Sequence, residues 1–141
     1  MTFDKNIFFM HMRITYGGII FNQSFEILLV KGREHGKWSL PKGSREIFDK
    51  TEFDAAVREV YEETSINLLK YLVLPQKVLI GSINCFVAHV PNDIFYKPID
   101  INEIEEIKFF TFDSFINLNT NKPTKLFAQK YKNLIKQIKA K

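Results

Sequence analysis

The chain has 141 residues, 45% hydrophobic and 26% charged, with a formal net charge of +4. That length favours a single domain, residues 1–141, able to bury a core without covalent staples. Cys85 is the only cysteine, which excludes an internal disulfide and fits a cytoplasmic, intracellular setting.

The opening MTFDKNIFFMHMR carries Asp4 and Lys5 and no long apolar run. It does not read as a signal peptide, and no stretch approaches the ~18 apolar residues of a membrane span, so no membrane partner is expected. Two β-rich runs follow, RITYGGIIF (Arg13 to Phe21) and FEILLVKG (Phe25 to Gly32), joined by a hairpin-like Asn22-Gln23-Ser24. REHGKWSLPKG comes next, broken by Gly36, Pro41 and Gly43. Thr51 is then a helix N-cap with Asp54 three residues on, and the spacing predicts a helix from about Glu52 to Thr64, ending near Ser65. Phe53, Val57, Val60 and Tyr61 repeat at helical spacing and are expected to face the core. KVLIGSINCFVAHV (Lys77 to Val90) reads as one long strand or a bent pair, and EIKFFTF (Glu106 to Phe112) as another strand. The last segment places Phe127, Tyr131, Leu134, Ile135 and Ile138 on one helical stripe with lysines mainly opposite. Interspersed strands and helices indicate an α/β or α+β class with a mixed sheet.

Charge is unevenly laid out. Glu46 to Glu63 holds seven acids against two bases, whereas after Asp113 there are no acids and seven lysines. Such a layout suits a cation site beside a surface for a polyanion, or two solvated faces. In REVYEETSI (Arg58 to Ile66), Glu62 and Glu63 lie within about 60° of Glu59 on the helix wheel. Three like charges on one face destabilise a helix by a few tenths of a kcal/mol per pair, a cost that a divalent cation reverses. Carboxylate oxygens are what Mg²⁺ prefers. Arg58, four residues before Glu62, is spaced to ion-pair with it.

The stretch from Gly43 through SREIFDKTEFDAAV to REVYEETSI resembles the Nudix box: Gly, five residues, Glu, seven residues, Arg-Glu, an apolar residue, any residue, Glu-Glu, any residue, Gly and an apolar residue. Arg58, Glu59, Val60, Glu62, Glu63 and Ile66 match its core. Gly17-Gly18, KWSLPKG and NEIEEIKFFTF agree with the family's surroundings, so the resemblance runs from about residue 13 to 135. Two positions depart from the pattern. Asp49 stands where the family has Glu, with one residue more before Arg58, and Ser65 replaces the family's Gly.

The resemblance implies a Nudix-like α/β/α sandwich around a mixed β-sheet. It also implies an enzyme that uses Mg²⁺ or Mn²⁺ to cleave a pyrophosphate link in a nucleoside diphosphate joined to another group. Glu59, Glu62 and Glu63 would hold metal, with the Gly43 carbonyl as a further ligand and Arg58 bracing the helix. Glu103 would be the general base, with Glu105 and Glu106 as rivals. Lys42 is a candidate phosphate contact and Trp38 a candidate base-stacking residue, against ordinary loop and packing roles. His11, His35 and His89 lack ligand spacing and are expected to be structural, and Cys85 to be core. KWSLPKG resembles both messenger-RNA decapping enzymes and diadenosine tetraphosphate hydrolases. The lysine-rich last helix favours a capped RNA 5′ end as substrate, with RNA as partner. A dinucleoside polyphosphate or nucleoside triphosphate is the alternative, and a non-catalytic nucleotide or RNA binder on the same fold is a second.

Overall fold

Strand β1 (Thr15–Phe21) and strand β2 (Ile27–Gly32) form in the two apolar runs, β1 rich in β-branched and aromatic residues. The computed structural model describes residues 14–128 and 130–140, so Arg13 and His11 lie outside the described residues. Between the strands, Asn22 Oδ1 accepts the N–H groups of Ser24 and Glu26 at 3.0 and 2.9 Å, turning the chain where the sequence suggested. The two strands are not a full hairpin, however. They pair at Phe21–Ile27 and then diverge. Segment 38–44 crosses between them, with β3 (Trp38–Ser39) against β2 and β4 (Lys42–Ser44) against β1.

The other edge of β1 pairs in parallel with β6 (Ile83–His89), while β2 pairs antiparallel with β7 (Ile104–Phe110). Lys77–Val90 is a tight hairpin rather than one long strand: β5 (Val78–Ile80) folds back on β6 around Gly81, which has φ 58°. Strand β7 begins two residues before the expected Glu106 and ends before Thr111, whose hydroxyl accepts the Ser114 N–H and starts a helix instead. The result is a seven-stranded mixed sheet.

Strand alternation divides the core between the two faces of this sheet. Ile19, Phe21, Ile27 and Leu29 join Phe115, Phe127, Leu134 and Ile138 on one side. Tyr16, Ile20 and Leu28 join Ala55, Ala56, Val60, Ile66 and Leu68 on the other. Helices α1 (Glu52–Thr64) and α2 (Leu68–Tyr71) therefore cover one face. Helices α3 (Phe112–Phe115), α4 (Lys122–Phe127) and α5 (Tyr131–Lys139) cover the opposite one. This is the expected α/β/α sandwich.

Helix α1 occupies the predicted residues. Thr51 Oγ1 accepts the Asp54 N–H at 3.0 Å, and Ser65 ends the helix with φ 65°. A left-handed Ser costs roughly 1–2 kcal/mol. Here its N–H donates to Tyr61 O and its hydroxyl to Lys97 O, so the position keeps a helix-ending role without Gly. One expectation fails: Tyr61 is 48% exposed. It lies about 100° from Val60 on the wheel, and the buried arc extends the other way, to Glu59 and Glu63. The C-terminal stripe is also divided between two helices rather than one. The chain turns between Phe127 and Tyr131, whose rings both pack on Phe21, and Lys130 Nζ donates to Leu79 O on the β5 edge.

Candidate active site

Arg58 organises the acidic end of α1. Its Nη2 donates to Asp49 Oδ2 and to Ser44 O, both at 2.9 Å, and its Nε to Asp49 Oδ1 at 3.1 Å. Its Nη1 donates to Glu59 Oε1 at 2.9 Å and to Glu62 Oε1 at 3.3 Å. Asp49 is buried and also accepts the Glu46 N–H at 2.8 Å. The shorter side chain thus meets Arg58 despite the longer interval. Burial by itself would raise Asp49, but the Arg58 and Glu46 hydrogen bonds outweigh it and hold its carboxyl below the ordinary carboxylate range. The Asp49 hydrogen bonds, with the Glu59 charge, in turn hold the Arg58 guanidinium protonated beyond its usual range.

Glu59 and Glu63 are buried and Glu62 half-buried. Burial pushes the Glu59 carboxyl up to about 7, against the opposing pull of Arg58. Burial pushes Glu63 up to about 9, although its Oε1 accepts the Lys42 N–H at 3.0 Å. Two buried carboxylates are therefore short of positive charge. Gly43 lies directly against the Glu59 carboxylate, so that any side chain at 43 would collide with it. No trio of acidic, His or Cys side chains among the described residues is gathered into a closed ligand shell, because Arg58 draws Glu59 and Glu62 toward itself. The donor set nonetheless suits a hard divalent cation: oxygen ligands on one helix face, buried and under-compensated, beside the bare Gly43 backbone of β4.

Beyond Glu63 opens a cleft of about 470 Å³, lined by Glu63, Lys42, Ser39, Glu103, Asn102, Asp100 and Ile104, by Gly32 at the end of β2, and by Glu34 and His35 of the β2–β3 turn. The loop before β7 is docked on the end of α1: Ile99 and Asp100 N–H groups donate to Glu62 O at 2.9 and 3.0 Å. This brings Glu103 to the cleft wall with Glu63, where partial burial and then Asp100 raise Glu103 above its ordinary range. Glu105 instead pairs with Lys31 at 3.7 Å, and Glu106 is an exposed strand residue.

The fold thus assembles Arg58, Glu59, Glu62, Glu63, Gly43, Lys42 and Glu103. Trp38 is not among the residues lining the cleft; its ring packs edge-on against Phe110, 4.8 Å between centroids. His89 is structural as expected, its ring stacked on Phe25 and its Nε2 3.1 Å from Asn22 O. Cys85 is fully buried. Sequence reasoning passed over Asp100, Asn102 and the cleft position of His35, none of which carries a local pattern that marks it.

Comparison with known proteins agrees with this arrangement. The NUDIX domain model matches residues 11–132. The m7GpppN-mRNA hydrolase of Saccharomyces cerevisiae is 32% identical over 102 residues, 68% of this chain and 10% of that protein. The mRNA-decapping enzyme subunit 2 of Arabidopsis thaliana is 32% identical over 107 residues, 69% of this chain and 27% of the relative. The chain therefore spans only a small part of these relatives' length. A C. elegans Ap4A hydrolase binary complex superimposes with a TM-score of 0.71 at 19% identity, covering 86% of this chain and 98% of that one. That likeness is one of fold. With its box residues assembled around α1 and the family model spanning most of its length, the chain belongs to the Nudix hydrolase family.

Proposed function

We propose that residues 1–141 form one Nudix domain that hydrolyses the pyrophosphate link of a capped RNA 5′ end. The observation that carries hydrolysis is the buried pair Glu59 and Glu63 on one face of α1, set against Gly43 and flanked by Glu103 and Lys42. The similarity to decapping enzymes supports capped RNA. Nudix hydrolases generally use divalent metal ions, and we assign Mg²⁺, with Mn²⁺ able to replace it, to Glu59, Glu62, Glu63 and the Gly43 carbonyl. When bound, the metal offsets phosphate charge and lowers the pKa of water. The chain's own groups do the rest. Asp49 and Ser44 O hold Arg58, which fixes the end of α1. Lys42 contacts a phosphate oxygen. Glu103 takes the proton of the attacking water as the phosphoanhydride P–O bond breaks.

The second reading, a dinucleoside polyphosphate substrate, is favoured by one observation. The lysines of α5 belong to the helix that covers the sheet face opposite α1, and two basic side chains there are already engaged: Lys130 with Leu79 O, and Lys139 of α5 itself over the Phe25 ring at 4.8 Å. A panel of capped RNA, diadenosine tetraphosphate and nucleoside triphosphates, incubated with Mg²⁺, tests both. Fastest release of capped nucleoside diphosphate from RNA supports the first reading. Preference for the dinucleotide replaces it with the second. Binding of these ligands without any turnover indicates the non-catalytic binder.

A further inference from the structure

We infer that His35 is a substrate-binding residue, donating a hydrogen bond from Nε2 to a phosphate oxygen of the nucleotide held in the cleft. This rests on the cleft being the substrate site.

Three observations carry it. The β2–β3 turn is rigid: Gly36 N–H donates to Gly32 O at 2.9 Å, Gly32 N–H to Lys37 O at 3.1 Å, and Gly36 takes φ +68°. The turn is also fastened to the opposite wall, since Arg33 N–H donates to Glu103 O at 2.8 Å and Arg33 Nε to Ile101 O at 3.0 Å. His35 therefore keeps its position relative to Glu103. Second, the ring orientation is fixed. It lies against Gly32, where an added Cβ would come within 2.5 Å of Cε1, and its Nδ1 accepts the Lys37 N–H at 3.0 Å. A neutral imidazole whose Nδ1 accepts must carry its proton on Nε2. Third, His35 and Lys42 line the same cleft, and among the described residues Nε2 has no hydrogen-bond partner.

A phosphate fits this donor better than a nucleobase. Among the described residues the cleft lining contains no Phe, Tyr or Trp on which a base would stack. It does contain the Lys42 ammonium, and Nε2–H and Lys42 together form a mixed donor pair for an anionic oxygen.

The test is equilibrium binding of ADP to the full chain in Mg²⁺, which needs no turnover. His35→Ala is expected to weaken ADP about ten-fold, in the range of one hydrogen bond to a charged group. His35→Gln, which presents an amide donor, is expected to recover most of that loss, and both variants should melt within a few degrees of wild type. Inorganic pyrophosphate should compete with ADP about ten-fold less well on His35→Ala than on wild type. KM for the best-cleaved substrate should rise by a similar factor, with kcat changing less.

Unchanged ADP affinity in His35→Ala overturns the inference. So does equal weakening in both variants, which would mark a merely structural ring, and so does pyrophosphate competition that ignores the substitution. Absence of ADP binding by wild type also overturns it. Loss of ADP binding in His35→Ala alongside a wild type that cleaves nothing would instead overturn the hydrolase reading and leave this one standing.

Discussion

On one face of the sheet, α1 turns Glu59 and Glu63 inward beside Ala56 and Val60; on the other, α4 and α5 turn in Phe127, Leu134 and Ile138 and leave their lysines in water. Both faces bury an apolar cluster, yet among the described residues only the first contains buried charge. Taking Glu59 and Glu63 from water costs stability that their Arg58 and Lys42 contacts do not fully restore, as their raised carboxyls show. The α5 face follows the ordinary rule of apolar inside and charged outside. The contrast locates function where the packing rule is broken, and it can be tested by damaging each face separately.

Phe127→Ala should have the largest effect. Its ring is fully buried against Phe21, Phe115 and Tyr131, so denaturant unfolding should report a loss of about 3–5 kcal/mol. Turnover per folded molecule should be nearly unaffected; a collapse of kcat at full folding would mean that the α5 face is not separate from the site. Arg58→Ala tests the other face. It strands buried Asp49 and Glu59 without their cation, and the same titration should again show roughly 3–5 kcal/mol, now with turnover lost as well.

Glu62→Gln separates activity from stability. Glu62 is half-exposed and keeps its backbone contacts, so the melting temperature should barely move. Loss of one ligand charge should cut turnover at saturating Mg²⁺ at least ~100-fold. Near-normal turnover would remove Glu62 from the proposed metal site.

A pH series on metal-free protein should be gentler. Glu59 and Glu63 have folded pKa values of about 7 and about 9, above the ordinary 4.5 of an unfolded chain. Across that window the folded state binds more protons, so this contribution to stability falls as pH rises from about 4.5 through about 7 to about 9. Mg²⁺ competes with those protons and binds the ionised forms, so its stabilising shift in melting temperature should be larger at pH 8 than at pH 6. An equal shift at both values would mean that the cation binds elsewhere.

The smallest effect concerns the lysines. Changing Lys132, Lys136 and Lys139 to Gln should flatten the salt dependence of capped-RNA binding if RNA reaches around to α5. It should cost little stability, with only the Lys139 contact to Phe25 lost. Salt slopes identical to wild type would leave that helix a solvated face and favour the dinucleoside polyphosphate reading.

Much of this molecule was legible in its linear order. Helix α1, its Thr51 cap, its end at Ser65 and the shared face of Glu59, Glu62 and Glu63 all follow from interactions within a few turns of chain, which spacing encodes directly. So does the family, because the box is a local pattern. Tertiary structure alone decided how Asp49 meets Arg58 across nine residues, and why Tyr61 gave up the core side of the helix to Glu63. It also set β1 and β2 apart after a single pair, carried segment 38–44 between them, and tied Arg33 to Glu103 so that His35 lines the same cleft as Glu63 and Glu103. These depend on which strands pair and which face each helix covers. Those choices are fixed by summed burial over distant segments, and no short stretch of sequence contains that sum.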